Sequence, residues 1–210
     1  MLNFARSKTQ NMKRIFLSLL FICGLTVATA QTAKEVLDKC AATLSNKDGV
    51  QADFAMTSAQ YGNANGSISV KGQMFCARTS VATMWFDGKT LWTYMAKNDE
   101  VSITTPTAER LQTLNPYNFI NLYKKGFKYA MTKSEKLYNV HLTSKDKGRG
   151  VQEMFITVDK SSYHPTEVKL LQKQKWTTFT ITNLKMAKLA DDVFRFNSKD
   201  FPSAEVIDLR

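Results

Sequence analysis

The stretch that decides the fold runs Met84-Trp85-Phe86-Asp87-Gly88-Lys89-Thr90-Leu91-Trp92-Thr93-Tyr94. Two apolar runs flank Asp87-Gly88, and this dipeptide is a strong signal for a two-residue hairpin turn. Both residues of such a turn need a positive φ, which Asp tolerates and Gly adopts freely. The stretch therefore predicts two antiparallel strands joined by a tight loop.

The register of this hairpin decides which side chains share a face. A two-residue loop pairs Phe86 with Lys89 and Met84 with Leu91. Since side chains alternate along a strand, both faces are apolar: one holds Trp85 and Trp92, and the other holds Met84, Phe86 and Leu91. An ordinary sheet over one core does not need large apolar residues on both sides. Two interpretations stay open, namely apolar surface kept for a ligand or dense packing beneath a covering loop.

About ten strands are predicted from alternating apolar and polar residues. The first two, 50–56 and 68–76, should pair as a hairpin around the turn sequence at 62–66. The others follow near 81–86, 90–96, 100–105, 126–132, 137–144, 151–158, 166–172 and 176–184. So many sequential strands form a large antiparallel sheet, which has to curl into a barrel or half-barrel with its inner face covered. The expected fold class is mainly β with helices (α+β).

Three helical segments are available to cover this sheet. Thr32 can cap a helix whose third following residue is Glu35, and apolar residues recur at helical spacing as far as the stop signal at 46–49. Segments 106–114 and 116–123 each begin with proline, which favours a helix start, and carry apolar residues on one side. The later two helices are predicted to lie between groups of strands.

The first thirty residues predict a secretory signal peptide. Met12-Lys13-Arg14 is a basic start, 15–27 is almost wholly apolar, and Ala28-Thr29-Ala30 is a small-x-small cleavage signal. A membrane anchor is the alternative, but about a dozen apolar residues fall short of the roughly twenty that span a bilayer. Residues 1–11 are interpreted as an upstream mis-start or a long n-region. We expect a periplasmic mature protein with one domain, residues 31–210.

The expected mature chain is basic. Without residues 1–30 it has 25 Lys and Arg against 18 Asp and Glu, a net charge of +7. The lysines are dispersed, which is typical of a solvated face, and weak attraction to anionic lipid or an acidic partner is the alternative. Nucleic acid is not an expected partner outside the cytoplasm, and a monomer is expected.

Cys40 and Cys76 remain after processing, in a compartment that permits oxidation. Either they form a disulfide that joins the first helix to a strand, or they are two separately buried thiols. His141 and His164 form no ligand-spacing motif, so neither a metal nor another cofactor is expected. No nucleophile elbow or acid–base arrangement is recognisable, and the chain is not expected to be an enzyme.

Several features together resemble the LolA-type outer-membrane lipoprotein carriers. They are the secretory signal, the amphipathic first helix, a long hairpin, the motif Asp-Gly-Lys-Thr-Leu-Trp-Thr-Tyr at 87–94, a helical insert, further strands and Phe-Arg-Phe-Asn at 194–197. The likeness spans nearly the whole mature chain, and the hairpin motif is its most specific part. The carriers usually have an arginine on the strand before this hairpin, where it helps to hold the lid shut. This chain instead has Ser-Val-Lys-Gly-Gln-Met-Phe at 69–75, with Arg78 only nearby, which indicates a divergent branch.

The resemblance implies an unclosed antiparallel β-barrel whose concave apolar face is covered by a helical lid. It also implies a periplasmic chaperone that holds the acyl chains of lipoproteins in a hydrophobic cavity and carries them to the outer membrane. An inner-membrane lipoprotein-releasing transporter would load it, and an outer-membrane acceptor would unload it. The alternative function is a periplasmic lipid or lipoprotein sensor built on the same half-barrel.

Candidate cavity residues come from the first two predicted hairpins. The tryptophan face of the second hairpin is preferred for the cavity, because large aromatic rings are seldom left facing water. Methionines suit such a cavity because the thioether chain adapts to irregular shapes. The cavity candidates are Phe54, Met56, Ile68, Val70, Met74, Trp85 and Trp92, and the lid candidates are Leu114, Phe119 and Leu122. Each of them could instead be plain core.

Overall fold

The computed structural model describes residues 31–107, 110–111 and 122–210. The prediction of a signal peptide at 1–30 lies outside these ranges. The described chain has one longer helix, α1 (Ala33–Leu44), and twelve strands. The strands are β1 Val50–Ser58, β2 Gly62–Lys71, β3 Met74–Thr79, β4 Ala82–Phe86, β5 Leu91–Met95, β6 Glu100–Thr104, β7 Phe127–Lys133, β8 Leu137–Ser144, β9 Glu153–Asp159, β10 Pro165–Gln172, β11 Lys175–Met186 and β12 Glu205–Asp208.

Helix α1 begins and packs as its sequence predicts. The Thr32 side chain accepts a hydrogen bond from the Glu35 N–H at 3.2 Å, and the Glu35 carboxylate accepts one from the Thr32 N–H at 3.0 Å. This capping box satisfies two N–H groups that an α-helix leaves without partners at its start. The apolar stripe of the helix is buried against the sheet and consists of Val36, Leu37, Cys40, Ala41 and Leu44.

The strands form one sheet that does not close. Their order is β12-β6-β5-β4-β3-β2-β1-β11-β10-β9-β8-β7, so β12 and β7 are its two ends. Neighbouring strands are antiparallel except for β12, which runs parallel to β6. The sheet is an open half-barrel, which confirms the expected fold class with twelve strands in place of about ten.

The first predicted hairpin differs from the structure in where the chain turns. Residues 62–66 continue β2 instead of turning, and the turn lies at 59–61. A second turn at Gly72 and Gln73, where Gly72 has φ +60°, divides the predicted strand 68–76 into β2 and β3. Val70 therefore pairs with Phe75. Side chains of residues paired across two strands point to the same face, so Phe75 shares the face of Val70 and Met74 does not. The tight turn therefore shifts the alternation by one residue.

The decisive hairpin at 84–94 has a longer loop than predicted. Phe86 pairs with Leu91, and Trp85 pairs with Trp92, so four residues form the loop. The Asp87 side chain shapes it by accepting hydrogen bonds from the backbone N–H groups of Lys89 at 3.0 Å and Thr90 at 2.8 Å. The register differs from the prediction by two residues, and an even shift leaves every side chain on its predicted face.

The sheet buries side chains on both faces. The inner face packs against α1 and carries the main core, which includes Val50, Phe75, Phe86, Val140 and Ile156. On the outer face lies a second group, the outer cluster, made by Cys76, Trp85, Leu189 and Phe194 with Met74, Trp92, Tyr94, Ala187, Val193, Phe196 and Phe201 packed against them. The chain after β11 supplies the cover of this outer cluster, and it includes two short 3-10 helices, Asp191–Phe194 and Ser198–Asp200.

Most connections between strands lie at two ends of the sheet, whereas the chain 187–204 crosses its outer face. At one end, which we name the top edge, are 59–61, 80–81, 96–99, 124–126, 145–152 and 173–174. At the other, the bottom edge, are 45–49, 72–73, 87–90, 134–136 and 160–164. The direction of the strands fixes this division, since β1 runs from the bottom edge to the top edge and each antiparallel neighbour reverses it.

Candidate apolar binding pocket

A pocket of about 250 Å³ lies on the inner face, in the half of the sheet nearer the top edge. Strands β1 to β4 form one side of it, and β10 and β11 form the other. Its lining side chains are Phe54, Met56, Tyr61, Ala64, Ile68, Ala77, Thr79, Met84, Leu170, Gln172, Thr177 and Phe179. None of these is Asp, Glu, Lys, Arg or His. The pocket therefore suits an apolar ligand and offers few polar partners.

Small residues opposite large ones create the space. In the register of β1 and β2, Phe54 lies opposite Gly66, and Met56 lies opposite Ala64. A Cβ atom added to Gly66 would be 3.0 Å from the Phe54 ring, so that ring lies over the glycine. Because neither Gly66 nor Ala64 has a side chain that reaches inward, the inner face stays hollow at this level.

Hydrogen bonds satisfy three of the hydroxyl groups at the pocket. The hydroxyl groups of Ser58 and Thr177 are both buried and lie 2.8 Å apart, within hydrogen-bonding distance. The hydroxyl of Thr79 donates to the carbonyl oxygen of Ala82 at 3.0 Å. Paired hydroxyls cost little when water is displaced, so they do not oppose an apolar ligand.

The structure separates the seven predicted cavity residues. Phe54, Met56 and Ile68 line the inner-face pocket. Val70 is on the same face but closer to the bottom edge, buried in the main core. Met74, Trp85 and Trp92 are on the opposite face in the outer cluster, so they do not line the inner-face pocket, in contrast to the predicted arrangement.

Two physical reasons account for this correction. The turn at 72–73 moves Met74 to the outer face and brings Phe75 and Ala77 to the inner one. The chain around 187–201 covers Trp85, which leaves it 3% exposed without any cavity. Met84, which shares the inner face with Phe86 and Leu91, is the hairpin residue that lines the pocket.

Other lining residues were missed by sequence reasoning. Leu170 and Phe179 lie on β10 and β11, which are distant in sequence from β1 but close to it in the sheet. The alternating pattern of these strands predicts that both side chains face inward, but it does not distinguish a filled core from a pocket. Tyr61 lies in the turn between β1 and β2, and turn residues carry no periodic signal.

The predicted lid falls largely outside the described residues. This holds for Leu114 and Phe119, whereas Leu122 is described and is 5% exposed in the main core. Beside it, the Tyr123 hydroxyl donates a hydrogen bond to the Asp38 carboxylate of α1 at 2.8 Å. This bond, together with burial as the larger cause, raises the pKa of Tyr123. The contact ties the chain before β7 to the helix.

Lys71 lies in the stretch 69–75, which corresponds to the arginine-bearing strand of the family, and it contacts the chain after β11. Lys71 Nζ donates to the Leu189 carbonyl oxygen and to the Asp191 carboxylate, both at 2.8 Å. The hydrogen bond from Lys71 lowers the pKa of Asp191. Lys71 thus holds the segment that covers the outer cluster.

Cys40 and Cys76 are free thiols in the structure, so they form no disulfide there. Cys40 lies on α1 in the main core, and Cys76 lies in the outer cluster on the other face of the sheet. The body of the sheet separates them, because successive residues of β3 point to opposite faces. Of the two alternatives, the structure supports two separately buried thiols. Burial raises the pKa of the Cys40 thiol to about 12.

A wider groove of about 480 Å³ lies on the outer face, away from the outer cluster. Phe155 and Trp176 are partly exposed there, beside the charged side chains Glu167 and Lys169. His141 stacks on Phe155 with ring centroids 4.2 Å apart and lies 2.9 Å from the Glu153 carboxylate. This groove is larger than the inner pocket, but its charged walls suit an acyl chain less well.

The described residues were compared with the requirements of a membrane-spanning helix and of a metal site. No helix among these residues is long and apolar enough to cross a membrane. In the same ranges, no three side chains of the metal-binding types come together. His141 lies on β8, and His164 lies in the bottom-edge connection 160–164.

Comparison with known proteins gives one family and several solved structures. The sequence profile of a family described as "Outer membrane lipoprotein carrier protein LolA" matches residues 25–174. No curated protein matches the chain. A crystal structure of an uncharacterized conserved protein from Thermus thermophilus has the same fold, with a TM-score of 0.57 and 14% identity over 85% of this chain and 99% of that one.

Two other solved structures are more distant in shape. One is a LolA superfamily protein from Nitrosomonas europaea, with a TM-score of 0.43 and 12% identity over 80% of this chain and 99% of that one. The other is a putative outer membrane lipoprotein-sorting protein domain from Vibrio parahaemolyticus, with a TM-score of 0.43 and 12% identity over 81% of this chain and 99% of that one.

Proposed function

The chain belongs to the family of LolA outer membrane lipoprotein carrier proteins, and on that basis we propose that it is a periplasmic chaperone for acylated proteins. In this proposal, an acyl chain of the lipoprotein enters the inner-face pocket while the protein crosses to the outer membrane. An inner-membrane lipoprotein-releasing transporter supplies the client, and an outer-membrane acceptor removes it. The observation that carries the proposal is the pocket itself, whose lining has no charged side chain.

The energetics of burial favour an acyl ligand. Each methylene that leaves water gains roughly 0.8 kcal/mol, so ten of them would gain about 8 kcal/mol. The hydroxyls of Ser58 and Thr177 already pair with each other at 2.8 Å, and an apolar ligand leaves that bond intact. A charged or strongly polar ligand would instead lose its hydration with few groups to replace it.

The size of the pocket limits how much it holds in the described state. At about 250 Å³ it is slightly smaller than the usual range of roughly 300–1,000 Å³ for drug-sized ligands. This space suits a segment of one acyl chain, and an anchor with several chains requires the lining to move. Met56 and Met84 favour such movement, because methionine side chains adopt many shapes at low cost.

A pair of matched tryptophan variants tests the site. Ala64→Trp places a large ring in the pocket and should weaken binding of a dansyl-labelled fatty acid, measured by fluorescence titration. The loss of only two buried methylenes, roughly 1.6 kcal/mol, already lowers affinity about tenfold. Ala55→Trp is the control, since Ala55 is exposed on the other face of the adjacent strand. If both variants bound the probe like the unchanged protein, the pocket would not be the binding site.

Carriage itself is tested on protein taken from cells. The protein is purified from a periplasmic extract without detergent, and mass spectrometry identifies what accompanies it. Acylated lipoproteins are expected with the unchanged protein and should be depleted with Ala64→Trp. A protein that binds the fatty-acid probe in solution but carries no lipoprotein, and instead retains a signalling partner, would contradict a carrier and favour a sensor.

A further inference from the structure

We propose that the top edge is a docking surface for a membrane with anionic lipid headgroups, placed so that the pocket mouth faces the bilayer. This inference rests on the proposed function in one respect only, namely that the pocket takes an acyl chain. Apart from Tyr61, which belongs to both, the membrane contact uses residues that do not line the pocket. Three properties of the top edge carry the inference: its charge, its exposed apolar side chains and its position beside the pocket.

Positive charge is concentrated in three neighbouring connections of the top edge. The connections are 124–126, 145–152 and 173–174, which belong to adjacent strands between β7 and β11. Backbone hydrogen bonds join them, from the Lys145 N–H to the Gly126 oxygen and from the Gln152 N–H to the Leu171 oxygen, both at 2.9 Å. Their basic residues are Lys124, Lys125, Lys145, Lys147, Arg149 and Lys173, and Asp146 is their one acidic residue.

The bottom edge does not share this charge. Its five connections together have four basic residues, Lys47, Lys89, Lys136 and Lys160, and three acidic residues, Asp48, Asp87 and Glu135. The excess of positive charge is therefore a property of one end of the sheet. An anionic bilayer attracts clustered Lys and Arg at its surface, whereas a balanced edge gains little.

Exposed apolar side chains occupy the other half of the top edge. Tyr61 is 55% exposed, Val81 is 60% exposed, and Met95 is 39% exposed. They lie in or beside the connections 59–61, 80–81 and 96–99. Exposed apolar residues next to a basic patch are typical of a surface that inserts shallowly between lipid headgroups.

The pocket lies between these two halves. Tyr61 and Thr79 line it on the apolar side, and Gln172 and Thr177 line it on the basic side. Tyr61 belongs both to the pocket lining and to the exposed apolar group. An acyl chain that leaves the pocket at this edge would reach a docked bilayer without crossing water.

Vesicle binding of matched charge variants tests the proposal. The full mature protein should sediment with vesicles of phosphatidylglycerol and much less with vesicles of phosphatidylcholine, and salt should weaken the binding. Lys145→Gln/Lys147→Gln/Lys173→Gln removes three top-edge charges, each worth about fivefold in partition, so binding should fall about 100-fold. All three lysines are exposed, and the variant should fold normally.

The control removes the same charge from the bottom edge. Lys47→Gln/Lys89→Gln/Lys136→Gln changes three exposed lysines there and should keep most of the binding to phosphatidylglycerol. Equal losses in the two triple variants would overturn the proposal, because net charge alone would then explain the attraction. Absence of vesicle binding in the unchanged protein would also overturn it and would favour an acidic protein as the partner of this edge.

Fatty-acid binding in solution separates this proposal from the proposed function. The top-edge triple variant should bind the dansyl-labelled fatty acid like the unchanged protein, because none of its three lysines lines the pocket. Vesicle binding without fatty-acid binding would reject the pocket and keep the docking surface. The reverse result would reject the docking surface and keep the pocket.

Discussion

Gly66 and Ala64 lie opposite Phe54 and Met56, and the hollow on the inner face exists because these two small residues leave it unfilled. Their neighbours on the same strand, Ile68 and Val70, are large and close the core below it. Large aromatic residues at Trp85 and Trp92 instead fill the outer cluster. At the scale of single residues, the pocket therefore depends on where small side chains lie.

The two cysteines give a prediction at this scale. Protein produced without residues 1–30, which contain Cys23, should show almost no reaction with a thiol reagent when native and two reactive thiols after unfolding in guanidinium. Only the thiolate reacts, and burial raises the pKa of Cys40 to about 12 and that of Cys76 above its usual value. A reducing agent should leave the melting temperature unchanged. Failure to detect thiols in unfolded, unreduced protein would contradict the separation of the two residues.

At the scale of elements, the position of turns decides which side chains reach the inner face. Two hairpins were predicted from local signals, and each turn lies elsewhere or is longer in the structure. The loop 87–90 is two residues longer than predicted, and this even difference leaves the flanking side chains on their predicted faces of the sheet. The unpredicted turn at 72–73, in contrast, reverses the predicted faces of Met74, Phe75 and Cys76.

The close approach of β2 and β3 gives a prediction at this scale. A Cβ atom at Gly66 would lie 2.0 Å from the backbone oxygen of Arg78, so one strand has to move if Gly66 becomes Ala. Gly66→Ala should lower the free energy of unfolding by about 1–3 kcal/mol, measured by urea denaturation. Asn65→Ala on the exposed side of β2 is the control and should change it by less than about 0.5 kcal/mol. Equal effects of the two changes would be evidence against this contact.

At the scale of the whole molecule, one sheet supports two apolar groups with different roles. The inner face has a core and a pocket, and the outer face has a filled cluster under the chain that follows β11. Lys71 joins this cover to β2 through Leu189 and Asp191. The separation of the faces implies that the outer cluster contributes stability but does not contact a ligand in the pocket.

Phe194 tests this division. Its side chain is fully buried in the outer cluster, and Phe194→Ala should lower the free energy of unfolding by about 3–5 kcal/mol. Affinity for the dansyl-labelled fatty acid should stay unchanged under conditions where the variant is folded. Leu209→Ala, at a position 63% exposed, is the control and should alter neither quantity. If Phe194→Ala weakened fatty-acid binding as Ala64→Trp does, the two faces would not be independent.

Local signals determined much of this protein. The capping box of α1, the alternation of the strands and the paired faces of the hairpin at 84–94 could be predicted, because each depends on residues close together in sequence. The same residues carry the likeness to the lipoprotein carriers, which the family match over 25–174 confirms. The number of strands and the short connections predicted a barrel or a half-barrel, and the likeness to the carriers implied the unclosed form.

Only the tertiary structure decided which apolar face is filled and which is hollow. Trp85 and Met84 are neighbours with similar sequence signals, yet the cover from 187–201 packs onto Trp85, and Met84 borders the pocket. The sheet likewise separates Cys40 from Cys76, and it brings Leu170 and Phe179 close to β1. Whether a face is covered depends on segments far away in sequence, and alternation within one strand contains no information about them.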